Sequence, residues 1–567
     1  MDPKRGERLR VTRAFLIFVL AIAAAGVRAY GVQAGGPVDF SPRPEHVVMI
    51  MLDGFRPDYL IMYDAPILRD MVRDGAWVAE AKGVFPSMTT PNQTSFVTGA
   101  YPATHGIPNN GQFDRSTRHM KPGPLRENRA ATIAEILAAA GKSSIAVNHF
   151  MLENRGVDIY VNGDIQVACA LLESRRPALL VYYQALTDSV GHQYGPFSEE
   201  MRAAVARVDR EIGSLREAAQ RAGILERTLF VIASDHGMSL NDGAGLSPGI
   251  GETLTRAGFT YTQDERALKE DTDIFWLQYG SAFLYLLPGR FTADRYEQLL
   301  QVLRALPHAM VLDRETLRRD YRVDPEALGD VVVVPEEGYA IAGGSGSGGL
   351  HGRPAESRIF LLFSGVGVKA GTVWPRASIV DVVPTVLALL GVDPPWPSTV
   401  EGRVLSGILA RPVWKDELRG AEGDLIPVDI AASGYYAVNY PSLAADGKLG
   451  TFWVSTVFPS PDGYQPQFLA FDLGEIRPIR RVELVARNYQ DPVGPKAFEV
   501  WVGPGPEALE RVAAGDLPPL TRGQAYSITL PQAVEARVVK LVFPSAYTRF
   551  VQIAEIRFWS GGGAANE

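Results

Sequence analysis

Val47-Val48-Met49-Ile50-Met51-Leu52, closed by Asp53-Gly54, is where the reading of this chain begins. Six apolar residues in a row, too few for a helix and without alternation, describe a strand covered on both faces. Residues 144–147, 178–183, 228–233 and 359–363 repeat that character. Between them, 131–140, 199–222 and 379–390 carry helical patterns. Strands alternating with helices predict an α/β unit, a mostly parallel sheet with helices on both faces. Ligands of such sheets bind beyond the carboxyl ends of the strands, which is where Asp53 stands.

The remainder of the chain divides around this pattern. With 567 residues, two or three cores are expected. Lys4, Arg5, Arg8, Arg10 and Arg13 precede an apolar run over 14–27 and then small residues ending at Ala29 and Ala34. This is the layout of a secretory signal peptide over 1–34, and the run is short of the roughly 20 residues that span a bilayer. The expectation is an exported protein, periplasmic or secreted. The larger unit runs over 45–411, with a less regular insertion, a cap, over about 239–342. A flexible glycine loop follows at 343–349, and the charged, aperiodic 412–426 reads as a linker. Beyond it, over 427–560, short strands such as 468–472 and 481–486, separated by Pro, Gly and Asp, describe an all-β sandwich. Cys169 is the only cysteine, so no intrachain disulfide forms, and its apolar neighbours make it a small core residue. The net charge of −8 excludes a general binder of nucleic-acid polymers, which needs a basic surface. A small phosphorylated substrate stays open, because bound cations can dominate a site locally.

Five clusters carry the chemistry. Asp53 ends its strand, and Thr89 sits in Phe85-Pro-Ser-Met-Thr-Thr-Pro-Asn92 just before an expected helix. Asp188 and His192 lie in Thr187-Asp-Ser-Val-Gly-His192, Asp235-His236 end another strand, and His351 follows the glycine loop. Three carboxylates and three imidazoles at loop positions are suitable ligands for zinc-like ions. Only eight histidines occur, and three of them fall here. Taken singly each cluster has a plain structural reading: a strand-exit turn for Asp53-Gly54, and either a helix-face pair or a ligating turn for Asp188 and His192.

Asp53-Gly-Phe-Arg-Pro57, Phe85 to Asn92, Thr98-Gly-Ala-Tyr-Pro-Ala-Thr-His-Gly106, Asn110, Asp188-Ser-Val-Gly-His192, Ser234-Asp-His-Gly237 and His351-Gly352 together resemble the nucleotide pyrophosphatase/phosphodiesterase family of the alkaline phosphatase superfamily. The resemblance covers roughly 46–409. It implies one metal held by Asp188, His192 and His351, and a second held by Asp53, Asp235, His236 and the Thr89 oxygen. The implied cofactors are two divalent ions, Zn2+ by the donor set. Thr89 is the implied nucleophile, and Asn110, 21 positions later, the implied phosphate contact; Asn92 braces the turn. A threonine hydroxyl is a weak nucleophile unless metal coordination favours its alkoxide.

Departures from the family concern substrate contacts. Thr90 stands where the family has an aromatic residue, and His351-Gly-Arg-Pro354 differs from the commoner continuation. The substrate is therefore left as a phosphate ester, with a nucleotide or a lipid head group both open. A sulfatase is excluded because no Cys-x-Pro-x-Arg is present. A phosphomonoesterase or phospholipase C-like hydrolase stays open, with Arg155 or Arg353 as the cation such a reading needs. The non-enzymatic alternative is an inactive glycan-binding or adhesion protein. Ala431-Ala-Ser433, Ala445-Asp-Gly447, Thr451-Phe-Trp453, Phe471-Asp-Leu-Gly474 and Val551 to Ile556 resemble discoidin-like (factor 5/8 C-type) domains. That resemblance implies a module for a glycan or membrane surface, with Trp453 and Phe471 assigned to its core.

Overall fold

The computed structural model describes residues 43–561, apart from 122–127, 343–347, 393–395, 411–422, 428, 434–440, 456–463, 488–493, 507 and 521–522. The expectations for the signal peptide, for most of the glycine loop and for most of the linker fall outside the described residues. Two compact units emerge, Arg43–Ile408 and Leu409–Glu567.

The first unit is built on nine strands: β1 (His46–Leu52), β2 (Ala76–Lys82), β3 (Ser144–Val147), β4 (Ile159–Val161), β5 (Leu179–Gln184), β6 (Thr228–Ser234), β7 (Arg358–Ile359), β8 (Leu361–Gly365) and β9 (Thr372–Ser378). Their order is β7-β2-β8-β6-β1-β5-β3-β4, with β9 added to β2. Strands β1, β3, β4, β5 and β6 run parallel. The sheet is mixed: β8 lies antiparallel to both β6 and β2, and β7 antiparallel to β2. The apolar run of β1 is buried on both faces. Val48, Ile50 and Leu52 pack with Leu68, Val205, Val208 and Ile212 from helices, while Val47, Met49 and Met51 are equally buried opposite. Cys169 lies in the same core, and burial pushes its thiol up to about 11, which makes it a poor nucleophile.

Three helices matter for the site: α1 (Thr89–Thr98), α2 (Leu186–Tyr194) and α3 (Glu199–Arg221). Helix α3 buries Met201, Val205, Val208, Ile212 and Leu215 along one stripe, and Ser198 caps it by accepting from the Met201 N–H. Its buried Asp209 accepts from the Ile67 and Leu68 N–H groups at 3.1 and 2.7 Å. These are orphan donors at the start of helix Pro66–Asp74, whose own N-cap, Ala65, has no side chain to offer.

The region after β6 contains a second, five-stranded sheet. It runs in the order Tyr261–Thr262, Ile274–Gln278, Ala282–Leu286, Val331–Pro335, Ala309–Leu312. One face packs with Ile250, Leu254, Leu299 and Leu303 from helices. The other receives Phe85, Phe113 and Leu317 against Phe275, Phe283, Tyr285 and Val332.

The second unit is an antiparallel sandwich. The separate strands expected near 468–472 and 481–486 are parts of one strand, Gln467–Val485. It pairs along its length with Ala525–Phe543, with irregularities between Asp472 and Arg477 and between Ile479 and Arg481. The first irregularity contains Gly474, and Pro478 stands between the two, level with Glu535; both are turn-like residues that read as strand breaks. Trp453 and Phe471 are both fully buried in its core.

Candidate active site

Sheet register gathers the site. Leu52 is level with Gln184 on β5 and with Ser234 on β6, so Asp53, the helix carrying Asp188, and Asp235 leave the sheet at one edge. Gly54 makes this possible. Its φ is 66°, and a Cβ there would lie 3.0 Å from the Asp188 Cα. The Gly54 N–H donates to Asp235 Oδ1 at 3.0 Å.

Asp188 and His192 are one turn apart on α2, so the helix-face reading holds and the ligating turn does not. His192 Nε2 is 3.3 Å from Asp188 Oδ1, and His351 Nε2 is 3.6 Å from the same oxygen. The two imidazole Nε2 atoms are 3.2 Å apart. On the other side, His236 Nε2 lies 3.2 Å from Asp53 Oδ1 and 3.7 Å from Asp235 Oδ1. Thr89 is the first residue of α1, and its Oγ1 is 3.4 Å from His236 Nε2. Asn92 is buried and closes the preceding loop, accepting from Val84 N–H and donating to the Val84, Pro86 and Met88 carbonyls. Asn110 Oδ1 accepts from the Thr90 N–H at 2.9 Å. With that donor taken and Pro91 lacking one, Thr89 contributes the N–H still open at the start of α1. The row of amides that a helix start can turn toward a phosphoryl group is thus reduced there.

Among the described residues, two donor groups fit metal ions: Asp188 with His192 and His351, and Asp53 with Asp188 and His236, each with ligand atoms within 4.8 Å of one another. Asp188 faces both. Asp53 Oδ1, Asp188 Oδ1 and Asp235 Oδ2 are buried without a hydrogen bond among the described residues. All three imidazoles are held the same way. His192 Nδ1 meets the Gly349 carbonyl at 3.0 Å, His236 Nδ1 that of Gly237 at 2.9 Å, and His351 Nδ1 that of Ser87 at 2.8 Å. A carbonyl only accepts, so each Nδ1 carries the proton and each Nε2 is turned toward the carboxylates. Burial and the neighbouring Asp53 hold Asp235 well above the usual carboxylate range. Burial opposes charge on His236, yet Asp235, Asp53 and Asp188 push it up to about 10. Burial and the charge of His236 push His351 down to about 3. This is a pocket with surplus negative charge, and a cation satisfies it.

Tyr183 went unread in the sequence. Its hydroxyl donates to Asp53 Oδ2, and burial together with the Asp53 charge keeps the phenol protonated. The available signal was a tyrosine near the carboxyl end of an apolar strand beside β1. Arg155 and Arg353 do not reach for substrate. Arg155 binds both Glu135 oxygens and the Asn128 and Ala130 carbonyls. Arg353 is buried against Glu356.

A family profile described as type I phosphodiesterase / nucleotide pyrophosphatase matches residues 47–160 and 157–355, more than half of the 567-residue chain. The chain belongs to that family. This phosphodiesterase-family chain also carries an F5/8 type C domain over residues 429–556. It is 24% identical to human bis(5'-adenosyl)-triphosphatase ENPP4 over 385 residues, spanning 62% of this chain and 80% of that protein. It is 26% identical to human ectonucleotide pyrophosphatase/phosphodiesterase family member 7 over 410 residues, spanning 66% and 86%. Among solved structures, murine ectonucleotide pyrophosphatase/phosphodiesterase 5, an inactive variant in complex with AMP, matches with a TM-score of 0.52 at 20% identity. That match covers 65% of this chain and 100% of the other. A variant of the alkaline phosphatase PafA matches with a TM-score of 0.53 at 17% identity, covering 65% and 99%. The first unit of this pyrophosphatase/phosphodiesterase therefore has the alkaline phosphatase fold, and the enzyme is a phosphoric ester hydrolase. No helix among the described residues is long and apolar enough to cross a membrane.

Proposed function

We propose that this protein is an exported phosphodiesterase or pyrophosphatase that works through a phosphothreonine on Thr89, with two divalent cations, Zn2+ by the donor set. The placement of Thr89 Oγ1, 3.4 Å from His236 Nε2 at the margin of the donor group of Asp53, Asp188 and His236, carries this reading. One cation would be held by Asp188, His192 and His351, the other by Asp53, Asp235 and His236 beside the Thr89 oxygen. When bound, they would supply Lewis-acid stabilisation of the charge on the entering and leaving oxygens.

The chain's own groups define the course. Thr89 Oγ1 attacks phosphorus, the bond to the leaving alcohol or phosphate breaks, and the phosphoryl group rests on Thr89. Water then attacks the same phosphorus, the bond to Oγ1 breaks, and the hydroxyl is restored. Asn110 has its Oδ1 fixed by the Thr90 N–H, which leaves its amide NH2 to donate to a phosphoryl oxygen. The Thr89 N–H is a second donor. A phosphomonoester brings one more negative charge, and Arg155 and Arg353 are both committed elsewhere. This favours diesters and pyrophosphates, of nucleotides or of lipid head groups. The F5/8 type C domain supports a surface role for the second unit, toward a glycan or a membrane.

Turnover of bis-p-nitrophenyl phosphate should exceed that of p-nitrophenyl phosphate, and the opposite order would overturn the diesterase reading. Acid-quenched enzyme should show a phosphoryl adduct on the peptide bearing Thr89. Elemental analysis should find about two zinc-like ions per chain; full activity without metal would end the mechanism. Retention of residues 1–34 by the mature protein would overturn export with cleavage.

A further inference from the structure

The segment after Asn110 is a short hairpin, Phe113–Asp114 paired with His119–Met120, and its anchors below lie on the five-stranded cap sheet and on the segments that join its strands. Phe113 is buried against Phe275, with ring centroids 4.1 Å apart, and meets Tyr285 edge-on at 5.5 Å. Arg115 pairs with Asp330 at 2.8 Å and donates to the Pro325 and Leu286 carbonyls at 3.2 and 3.4 Å. The Met120 N–H donates to Glu265, and Arg118 to the Lys269 carbonyl. The turn Gln278–Ser281 of the same sheet touches both sides of the site. A Cβ on Gly111 would lie 3.0 Å from the Tyr279 hydroxyl, and one on Gly280 would lie 2.1 Å from the His351 carbonyl oxygen.

The geometry points to Arg115 and Phe113 as positioning residues for Asn110, which make the cap part of the phosphate-binding apparatus. The amide of Asn110 meets α1 through one side-chain hydrogen bond, to the Thr90 N–H. A single such contact does not fix a donor to the fraction of an ångström that catalysis requires; the hairpin, clamped to the cap, supplies the rest. The clamp is built to survive the loss of one member. Asp330 is fully buried, but it also pairs with Arg314 at 2.7 Å and accepts from the Leu286 N–H. Removing Arg115 therefore leaves no bare buried carboxylate.

This inference rests on Asn110 contacting the phosphoryl group, and a double-mutant cycle on the full chain separates the two ideas. The substrate is bis-p-nitrophenyl phosphate, and bound metal and thermal midpoint are followed in parallel. Arg115→Ala should lower kcat/KM by about tenfold with metal content unchanged. The same substitution placed on Asn110→Ala should cost less than about twofold, because the positioned group is gone. An equal loss in both backgrounds, or no loss in the first, overturns the link. If Asn110→Ala itself is silent, the phosphate-contact reading fails, and the link with it. Should Arg115→Ala not fold, Phe113→Leu, which keeps the ion pair and removes the ring stack, must show the same non-additivity or the link is overturned.

Discussion

Thr89 and Thr90 are adjacent hydroxyls with unequal surroundings. Thr89 faces the donor groups, whereas Thr90 is buried, with its N–H spent on Asn110. Thr89→Ala should abolish steady-state turnover, while Thr90→Ala should cost far less; the reverse order in the same assay would move the nucleophile. Tyr183 acts one layer behind. Its hydroxyl holds one Asp53 oxygen and leaves Oδ1 turned toward His236. Tyr183→Phe should weaken metal binding about 10–100-fold in a chelator competition, and unchanged affinity would reduce the tyrosine to packing. The acids, imidazoles and Thr89 were legible as candidates because each closes an apolar run or stands in a short, unusual motif. Tyr183 was not, since one tyrosine in a strand of branched and aromatic residues looks like any other. Nor was the commitment of Arg353, whose partner Glu356 looks like an ordinary surface charge in sequence.

Elements show the same division between what patterns encode and what contacts decide. Runs of apolar residues located the sheet, because a strand covered on both faces has no polar alternation to hide it. Direction is not written in such a run, and β8 proved antiparallel to both neighbours. In the long sandwich strand Gln467–Val485, Gly474 and Pro478 signal turns by residue type, whereas the ladder takes the first into an irregularity and keeps the second level with Glu535. Asp209 is a contact of this second kind, a carboxylate on α3 capping another helix. Asp209→Ala should destabilise the first unit by about 1–3 kcal/mol in denaturant unfolding. Asp209→Asn should cost less, because its amide oxygen still accepts one N–H.

At the scale of the molecule, each unit has its own hydrophobic core. A chain truncated at Arg411 should keep activity on small soluble esters, and its failure to fold would make the sandwich part of the catalytic unit. Acid should weaken the first unit in a traceable way. His149 is enclosed by Phe96, Phe150 and Tyr183, neither ring nitrogen has a hydrogen-bond partner among the described residues, and burial pushes it down from 6.5 to about 3. Below pH 6.5 the unfolded imidazole takes up a proton that the folded one refuses. Stability present above 6.5 is then lost toward pH 3, by about 1.4 kcal/mol per pH unit. Unfolding of His149→Phe between pH 7 and 5 should show a shallower decline than the parent, and equal slopes would refute the assignment.

Asp188 is oriented toward both donor groups at once. A carboxylate in common means that vacating one position changes the charge and freedom of a ligand at its neighbour. Stepwise depletion should therefore change the affinity of the position still filled, so that loss of bound ion against chelator strength departs from the curve of two independent sites.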